Sequence, residues 1–162
     1  MVEETIKQLE DSFGKMSVTR GKRHTFVGMD FEITEDGKVN IQMKEYIKDC
    51  ITSFGEHFNG VAATPATTKL FEVNEGENIL DEQRRDIFHH IVAKLLFVAK
   101  RGRPDIDLTI SYLCGRVDKS TEEDCGKLRR LLHYLNGTME MKRSIWMTND
   151  NGYMQLMEHT RT

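Results

Sequence analysis

The spacing of apolar residues changes between residues 43 and 47 of this chain, from strict alternation to helical repeats. Over residues 27–43, apolar side chains alternate with polar ones on both sides of Glu35-Asp36-Gly37, a sequence typical of a reverse turn. From residue 47 onward, apolar residues recur three and four positions apart. The pattern predicts a β-hairpin followed by helices, and therefore an α+β fold. The alternating residues are Val27, Met29, Phe31, Ile33, Val39, Ile41 and Met43.

An amphipathic helix is predicted before the hairpin, over residues 2–13. Val2, Ile6, Leu9 and Phe13 lie on one face of this segment, and Gly14 follows as a C-terminal stop. Because an apolar helix face is normally buried, we expect this helix to pack against the hairpin.

Further helices are predicted over residues 47–54, 81–100 and 120–137, with a shorter helix after Pro104. The sequence Ser120-Thr121-Glu122-Glu123 resembles a capping box with Ser120 as the N-cap. Residues 145–156 predict a short C-terminal hairpin.

A long segment of small, polar and acidic residues separates the two halves of the pattern. It carries Thr64-Pro65 at its centre and predicts a loop or linker. We therefore expect four parts: an α/β part at 1–55, a loop at 56–80, a helical part at 81–138 and short strands at 139–162.

Composition excludes several classes of protein. The net charge is −3 over 162 residues, so no strong overall field favours nucleic acid or anionic membranes. The longest apolar run, Leu95–Ala99, is too short to cross a bilayer. The N-terminus shows no secretory signal, and three cysteines cannot all pair within one chain. We expect an intracellular protein, in cytoplasm or nucleus, without a membrane partner.

No motif indicates catalysis or metal binding. A glycine-rich phosphate loop and a Gly-x-Ser-x-Gly nucleophile motif are both absent from the sequence. His89 and His90 are adjacent, so on a helix they point about 100° apart and cannot share one metal ion. Asp105, Asp107 and the acidic residues 122–124 lie at helix starts, where capping and dipole compensation explain them. We predict no catalytic and no metal-binding residue.

Basic residues form three clusters, near residues 20, 101 and 128. A solvated surface and favourable charges at helix ends would account for them. The alternative is that they contact the phosphates of a nucleic acid backbone. The candidate contacts are Arg20, Lys22, Arg23, Lys100, Arg101, Arg103, Lys127 and Arg130.

Several short motifs follow one another along nearly the whole chain. They are Phe26-Val27-Gly28-Met29, Tyr46-Ile47, Ala63-Thr64-Pro65, Lys94-Leu95-Leu96-Phe97, Arg103-Pro104-Asp105-Ile106, Tyr134-Leu135 and Gly137-Thr138. Their order resembles that of the reverse transcriptases of copia-type retrotransposons.

The resemblance implies a position within a larger polymerase. Residues 2–43 would end the palm, with the hairpin at 26–43 comparable to the primer grip. Residues 44–138 would form the thumb and connection, and the tail would lead towards ribonuclease H. The catalytic aspartates and Mg²⁺ of the parent RNA-directed DNA polymerase would lie in an upstream segment. This chain would then be noncatalytic and hold an RNA–DNA or RNA template–primer duplex.

An alternative interpretation is a helical protein-interaction module, or a decayed retroelement remnant without nucleic-acid binding. A palm fragment separated from its upstream strands would present an unpaired sheet edge. Under this interpretation we expect Met29, Phe31 and Ile33 to be exposed, and the upstream polymerase segment would be the natural partner.

Overall fold

The computed structural model describes residues 2–58, 60–74 and 78–146, and it confirms the α+β class. One helix and three antiparallel strands come first, helices follow, and a fourth strand comes last among the described residues. Within these ranges the helices are α1 (Val2–Phe13), α2 (Lys44–Ser53), α3 (Glu82–Arg101), α4 (Asp107–Cys114) and α5 (Glu122–Gly137). The strands are β1 (Arg23–Phe26), β2 (Met29–Ile33), β3 (Lys38–Gln42) and β4 (Arg143–Trp146).

The four described strands form one antiparallel sheet in the order β1-β2-β3-β4. The predicted hairpin is therefore incomplete, because it omitted β1 and began β2 at Val27. In the structure Val27 and Gly28 have φ angles of 49° and 73° and reverse the chain between Phe26 and Met29. Positive φ at both central residues is the geometry of a type I′ turn.

The predicted C-terminal hairpin is only partly described. Its first arm corresponds to β4, which pairs with β3 so that Ile145 lies opposite Val39 and Trp146 opposite Lys38. The predicted second arm, at residues 153–156, lies outside the described residues.

The core joins the sheet to the helices. Met29, Ile41 and Met43 belong to the same buried cluster as Leu95 of α3 and Leu132 of α5. The expected exposure of the hairpin is therefore wrong for Met29, which is 8% exposed, whereas Phe31 is half-buried and Ile33 is 38% exposed. Met29 is buried because its side chain joins the core shared with the helices, and the backbone of β2 is not an unpaired edge because β1 and β3 flank it.

Helix α1 begins and ends as predicted, but it does not pack as expected. None of its residues is buried, and Val2 and Phe13 are 71% and 79% exposed. The apolar residues of β2 and β3 already share a core with the later helices, so the sheet does not depend on α1 for cover. An ion pair between Arg20 and Glu3 links α1 to the connector before β1.

The cap of α5 lies one residue beyond the predicted position. Thr121 is the N-cap: its hydroxyl accepts from the backbone N–H of Asp124, and the Asp124 carboxylate accepts from the backbone N–H of Thr121. This reciprocal pair is the capping box, with Asp124 at the third helical position. Ser120 is buried instead, and its carbonyl accepts from the backbone N–H of Leu80 at 2.9 Å.

The described parts of residues 56–80 contain neither helix nor strand. A backbone bridge between Ile79 and Thr121 joins the end of this loop to the start of α5. Within the described ranges, no helix has the length and apolar character needed to cross a membrane.

Candidate nucleic-acid interface

Arg103 is a buried structural residue. It is 2% exposed, and its Nε and Nη2 atoms donate to the two carboxylate oxygens of Asp105 at 2.9 and 2.8 Å. Its Nη1 and Nη2 atoms also donate to the carbonyl and hydroxyl oxygens of Thr138 at 2.9 and 2.8 Å. The donors of Arg103 are used inside the protein. Arg103 therefore does not face a ligand, contrary to the predicted phosphate contact.

Tyr134 completes this network by donating its hydroxyl to Asp105 at 2.8 Å. Burial alone would raise the pKa of Asp105, but hydrogen bonds and charge from Arg103, together with the Tyr134 hydroxyl, outweigh it and hold that pKa below its usual value. The motifs at 103–106 and 134–138 therefore meet in space. They join the turn after α3 to the end of α5.

Five of the other predicted contacts already have a carboxylate partner. The pairs are Arg20–Glu3, Lys22–Glu35, Arg23–Glu32, Lys100–Asp107 and Lys127–Glu123. The first four pairs lie on the surface, where an ion pair contributes only about 0–1 kcal/mol. Each cation can exchange its carboxylate for a phosphate at little cost in free energy. Until that exchange, the carboxylate neutralises its charge.

Arg101 and Arg130 are the two predicted contacts without an ion pair among the described residues. Arg101 is exposed in the last turn of α3, and its guanidinium lies 5.7 Å from the ring centre of Phe97. Arg130 lies on α5 and donates to the Thr64 hydroxyl at 3.0 Å.

Arg143 is a neighbour of Arg101 that is not among the predicted contacts. Its Nη1 donates to the carbonyl oxygen of Arg101 at 3.2 Å, and it has no carboxylate partner within the described ranges. The signal was present in the basic pair Lys142-Arg143 at the start of β4. Strand periodicity does not reveal that this strand end lies beside the end of α3.

Aromatic contacts connect the β1–β2 turn to Arg101, and Arg143 joins them through its hydrogen bond to the Arg101 carbonyl. The position of a Cβ on Gly28 is 2.7 Å from the Tyr46 ring, and the Tyr46 and Phe97 ring centres are 5.4 Å apart. Phe97 in turn lies beneath Arg101. We call this group the turn–arginine surface; it comprises Phe26, Val27, Tyr46, Phe97, Arg101 and Arg143.

The tip of the turn is apolar and exposed. Phe26 and Val27 are 67% and 57% exposed, and Val27 is a β-branched residue held at positive φ. Such strain persists only where the surrounding structure enforces it, and it is concentrated at functional sites. The turn–arginine surface therefore combines exposed apolar groups with two cations that lack a described counter-ion.

The acidic residues near these cations do not fit a Mg²⁺ site. Asp105 is engaged by Arg103 and Tyr134, and Asp107 is paired with Lys100. Throughout residues 2–58, 60–74 and 78–146, no three metal-ligating side chains are grouped closely enough to hold an ion.

Comparison with known proteins shows a similarity to a transposon protein. The chain is 27% identical over 125 residues to a putative transposon Ty5-1 protein of Saccharomyces cerevisiae; the match covers 75% of this chain and 39% of that protein. The chain thus spans about two fifths of the relative that it matches. No protein-family model and no solved structure matches the chain. The similarity to a transposon protein points to a retroelement origin.

Proposed function

We propose that this chain is the nucleic-acid-holding part of a copia-type reverse transcriptase, and that it is noncatalytic by itself. The observation that carries the proposal is the similarity to a putative transposon protein over three quarters of the chain. The order of the copia-type motifs supports the finer assignment to the end of the palm, the thumb and the connection.

The turn–arginine surface is the best candidate for contact with the duplex. Arginine guanidinium groups suit the geometry of phosphate oxygens, and exposed aromatic and apolar groups suit sugars and bases. Arg101 and Arg143 supply the charge, and Phe26 and Val27 supply the apolar tip. Arg20, Lys22, Arg23, Lys100 and Lys127 are secondary contacts in this proposal, because each must first leave a carboxylate partner.

Binding of an RNA–DNA hybrid, measured by fluorescence anisotropy over a range of salt concentrations, tests the proposal. We expect the logarithm of affinity to fall linearly with the logarithm of salt concentration. Replacing both arginines (Arg101→Gln with Arg143→Gln) should weaken binding. The plot of log affinity against log salt concentration should also become less steep, by about 2, because each lost phosphate contact lowers the steepness by about one unit.

A matched control removes two other cations that have no ion pair among the described residues. The double variant Arg85→Gln with Lys119→Gln changes the net charge equally but lies outside the turn–arginine surface. It should leave the slope nearly unchanged. Affinity that does not depend on salt, or an equal loss in both double variants, would contradict the assignment of this surface.

The noncatalytic part of the proposal has its own test. The purified chain is incubated with primer–template, Mg²⁺ and deoxynucleotides, and we expect no primer extension. The resemblance implies that the carboxylates for this reaction belong to the upstream polymerase segment. Extension by the chain alone would show that it carries a catalytic centre.

A protein-interaction module is the second candidate, and the exposed apolar face of α1 favours it. Val2, Leu9 and Phe13 are exposed on this helix, so a partner such as the upstream polymerase segment could cover them. Light scattering of the purified chain discriminates between the candidates. A monomer that binds the hybrid supports the first, whereas self-association without hybrid binding supports the second.

A further inference from the structure

A groove of about 470 Å³ lies between α5 and the loop that precedes Thr64-Pro65. Its walls include Ala62 and Ala63 from the loop and Gly126, Arg130 and His133 from α5. Phe26, Val27, Tyr46, Phe97, Arg101 and Arg143 do not line it, so it is separate from the turn–arginine surface.

The loop is fixed on α5 by three contacts. The Gly60 carbonyl lies 3.2 Å from His133 Nδ1, and the Thr64 hydroxyl accepts from Arg130 Nη2 at 3.0 Å. A Cβ on Gly137 would lie 2.8 Å from Val61, so a glycine there allows the loop to approach the end of α5. The groove is therefore held open by the fold before any ligand arrives.

The charge in this groove is positive and only partly neutralised. Arg129 forms a two-point ion pair with Glu56, from Nε to Oε2 at 2.6 Å and from Nη2 to Oε1 at 2.7 Å. Arg130 has no carboxylate partner among the described residues, and its Nε is a buried donor without a hydrogen-bond partner. No carboxylate within the described ranges offsets the Arg130 charge, so an oxyanion in the groove gains a charge-assisted hydrogen bond from its guanidinium.

Gly126 provides an independent observation. It lies inside α5, where glycine is unfavourable, yet no atom within 4 Å would contact a Cβ at this position. Close packing within the protein therefore does not require the glycine. Its effect is to keep the groove wall beside Arg130 free of a side chain.

We infer that this groove binds a phosphate group, with Arg130 as the charged donor and Gly126 as the open wall. The arginine guanidinium is planar and always charged, and its N–H groups suit the oxygens of a tetrahedral phosphate. The phosphate can belong to a nucleic acid backbone or to a small phosphorylated molecule. The inference does not depend on the proposed function, because it concerns a different surface.

Amide correlation NMR of the full chain, titrated with inorganic phosphate at constant ionic strength, tests the inference. We expect saturable shifts at Ala62, Ala63 and Gly126 and at the Arg130 Nε signal. In Arg130→Gln, which removes the guanidinium charge, the apparent Kd for phosphate should rise about tenfold or more. The control Arg85→Gln should retain the wild-type Kd.

A second variant keeps the test decisive if Arg130→Gln perturbs the fold. Gly126→Leu replaces glycine with a good helix former and places a side chain in the groove. It should preserve the folded spectrum and abolish the phosphate-induced shifts. Shifts that do not saturate, or that persist unchanged in both variants, would overturn the inference.

The source of the phosphate is resolved by competition. If an RNA–DNA hybrid displaces inorganic phosphate from the groove, the site takes backbone phosphate. If the hybrid leaves the phosphate-induced shifts unchanged, the site takes a small phosphorylated molecule. Either result supports a phosphate site, and the phosphate titration stands even if the chain does not bind the hybrid at all.

Discussion

Burial sets the ion pair between Arg103 and Asp105 apart from the surface pairs of this protein. Arg103 has a side-chain exposure of 3% and Asp105 one of 22%, whereas the Arg20–Glu3 pair is exposed by about two thirds on both sides. In a buried pair the loss of one partner leaves an uncompensated charge out of water. Removing a partner is therefore far more costly than the net stabilisation by the pair suggests.

The first prediction concerns Arg103→Met. We expect the free energy of unfolding to fall by about 3 kcal/mol, because Asp105 loses its counter-charge and the Thr138 carbonyl loses its Arg103 donor while both remain partly buried. Urea unfolding followed by circular dichroism measures the change. The control Arg20→Met, at an exposed pair, should leave the free energy of unfolding nearly unchanged. Equal costs at the two sites would contradict the structural role of Arg103.

The second prediction concerns acid stability. The folded-state pKa of Asp105 is lowered, so its contribution to stability is present above its unfolded-state pKa of about 4 and is lost as the pH falls through the lower folded value. In Asp105→Asn this part of the acid sensitivity disappears. We expect the wild type to lose more stability than the variant between about pH 5 and pH 2, as measured by urea midpoints. Parallel pH profiles would contradict this assignment.

At the level of single residues, the sequence shows which positions are cationic but not which groups bind those cations in the folded protein. Arg101 and Arg103 are two residues apart in one basic cluster, yet one is exposed and the other is buried. The difference arises from Thr138, which lies 35 residues further along the chain. Tertiary contacts of this kind leave no periodic signal in the sequence.

The type I′ turn between β1 and β2 is the element whose sequence fits its backbone least well. Val27 occupies a left-handed conformation that costs a β-branched residue about 1–2 kcal/mol. Asparagine followed by glycine is the preferred sequence for this turn. The strain is therefore local and can be removed by one substitution.

The third prediction is that Val27→Asn raises the free energy of unfolding by about 1 kcal/mol. Chemical denaturation checks the change. The adjacent variant Gly28→Ala should act in the opposite direction, because its Cβ would lie 2.7 Å from Tyr46 and because alanine disfavours the φ of 73°. If the apolar tip also contacts nucleic acid, Val27→Asn weakens hybrid binding while stabilising the fold. A loss of stability in Val27→Asn would show that the turn is not strained as described.

Helices were more predictable than strands because their apolar repeats extend over several turns. The predicted helix at 81–100 differs from α3 by one residue at each end. By contrast, β1 has the sequence Arg-His-Thr-Phe, which shows no alternation of apolar and polar residues. The capping error has a similar origin, since Ser120 and Thr121 are both good caps and only the packing of Asp124 selects between them.

For the whole molecule, the loop at 56–80 does not indicate whether the sheet and the helices that follow it are structurally independent. Its composition predicts a linker, but the buried cluster on either side is continuous. Met43 at the end of the sheet packs against Gly102 so closely that a Cβ there would lie 2.9 Å away. Such contacts between distant segments cannot be read from residues 56–80 themselves, and they couple the stability of the sheet to that of the helices.

The fourth prediction follows from this coupling. Trp146, the one tryptophan in the sequence, lies in β4 and reports on the sheet by fluorescence, whereas far-ultraviolet circular dichroism reports mainly on the helices. We expect the two probes to give the same urea midpoint, because the core is shared. Leu132→Ala, in the core side of α5, should lower both midpoints equally and cost about 2–5 kcal/mol. If the fluorescence midpoint stayed in place while the helical signal shifted, the sheet and the helices would unfold as separate units.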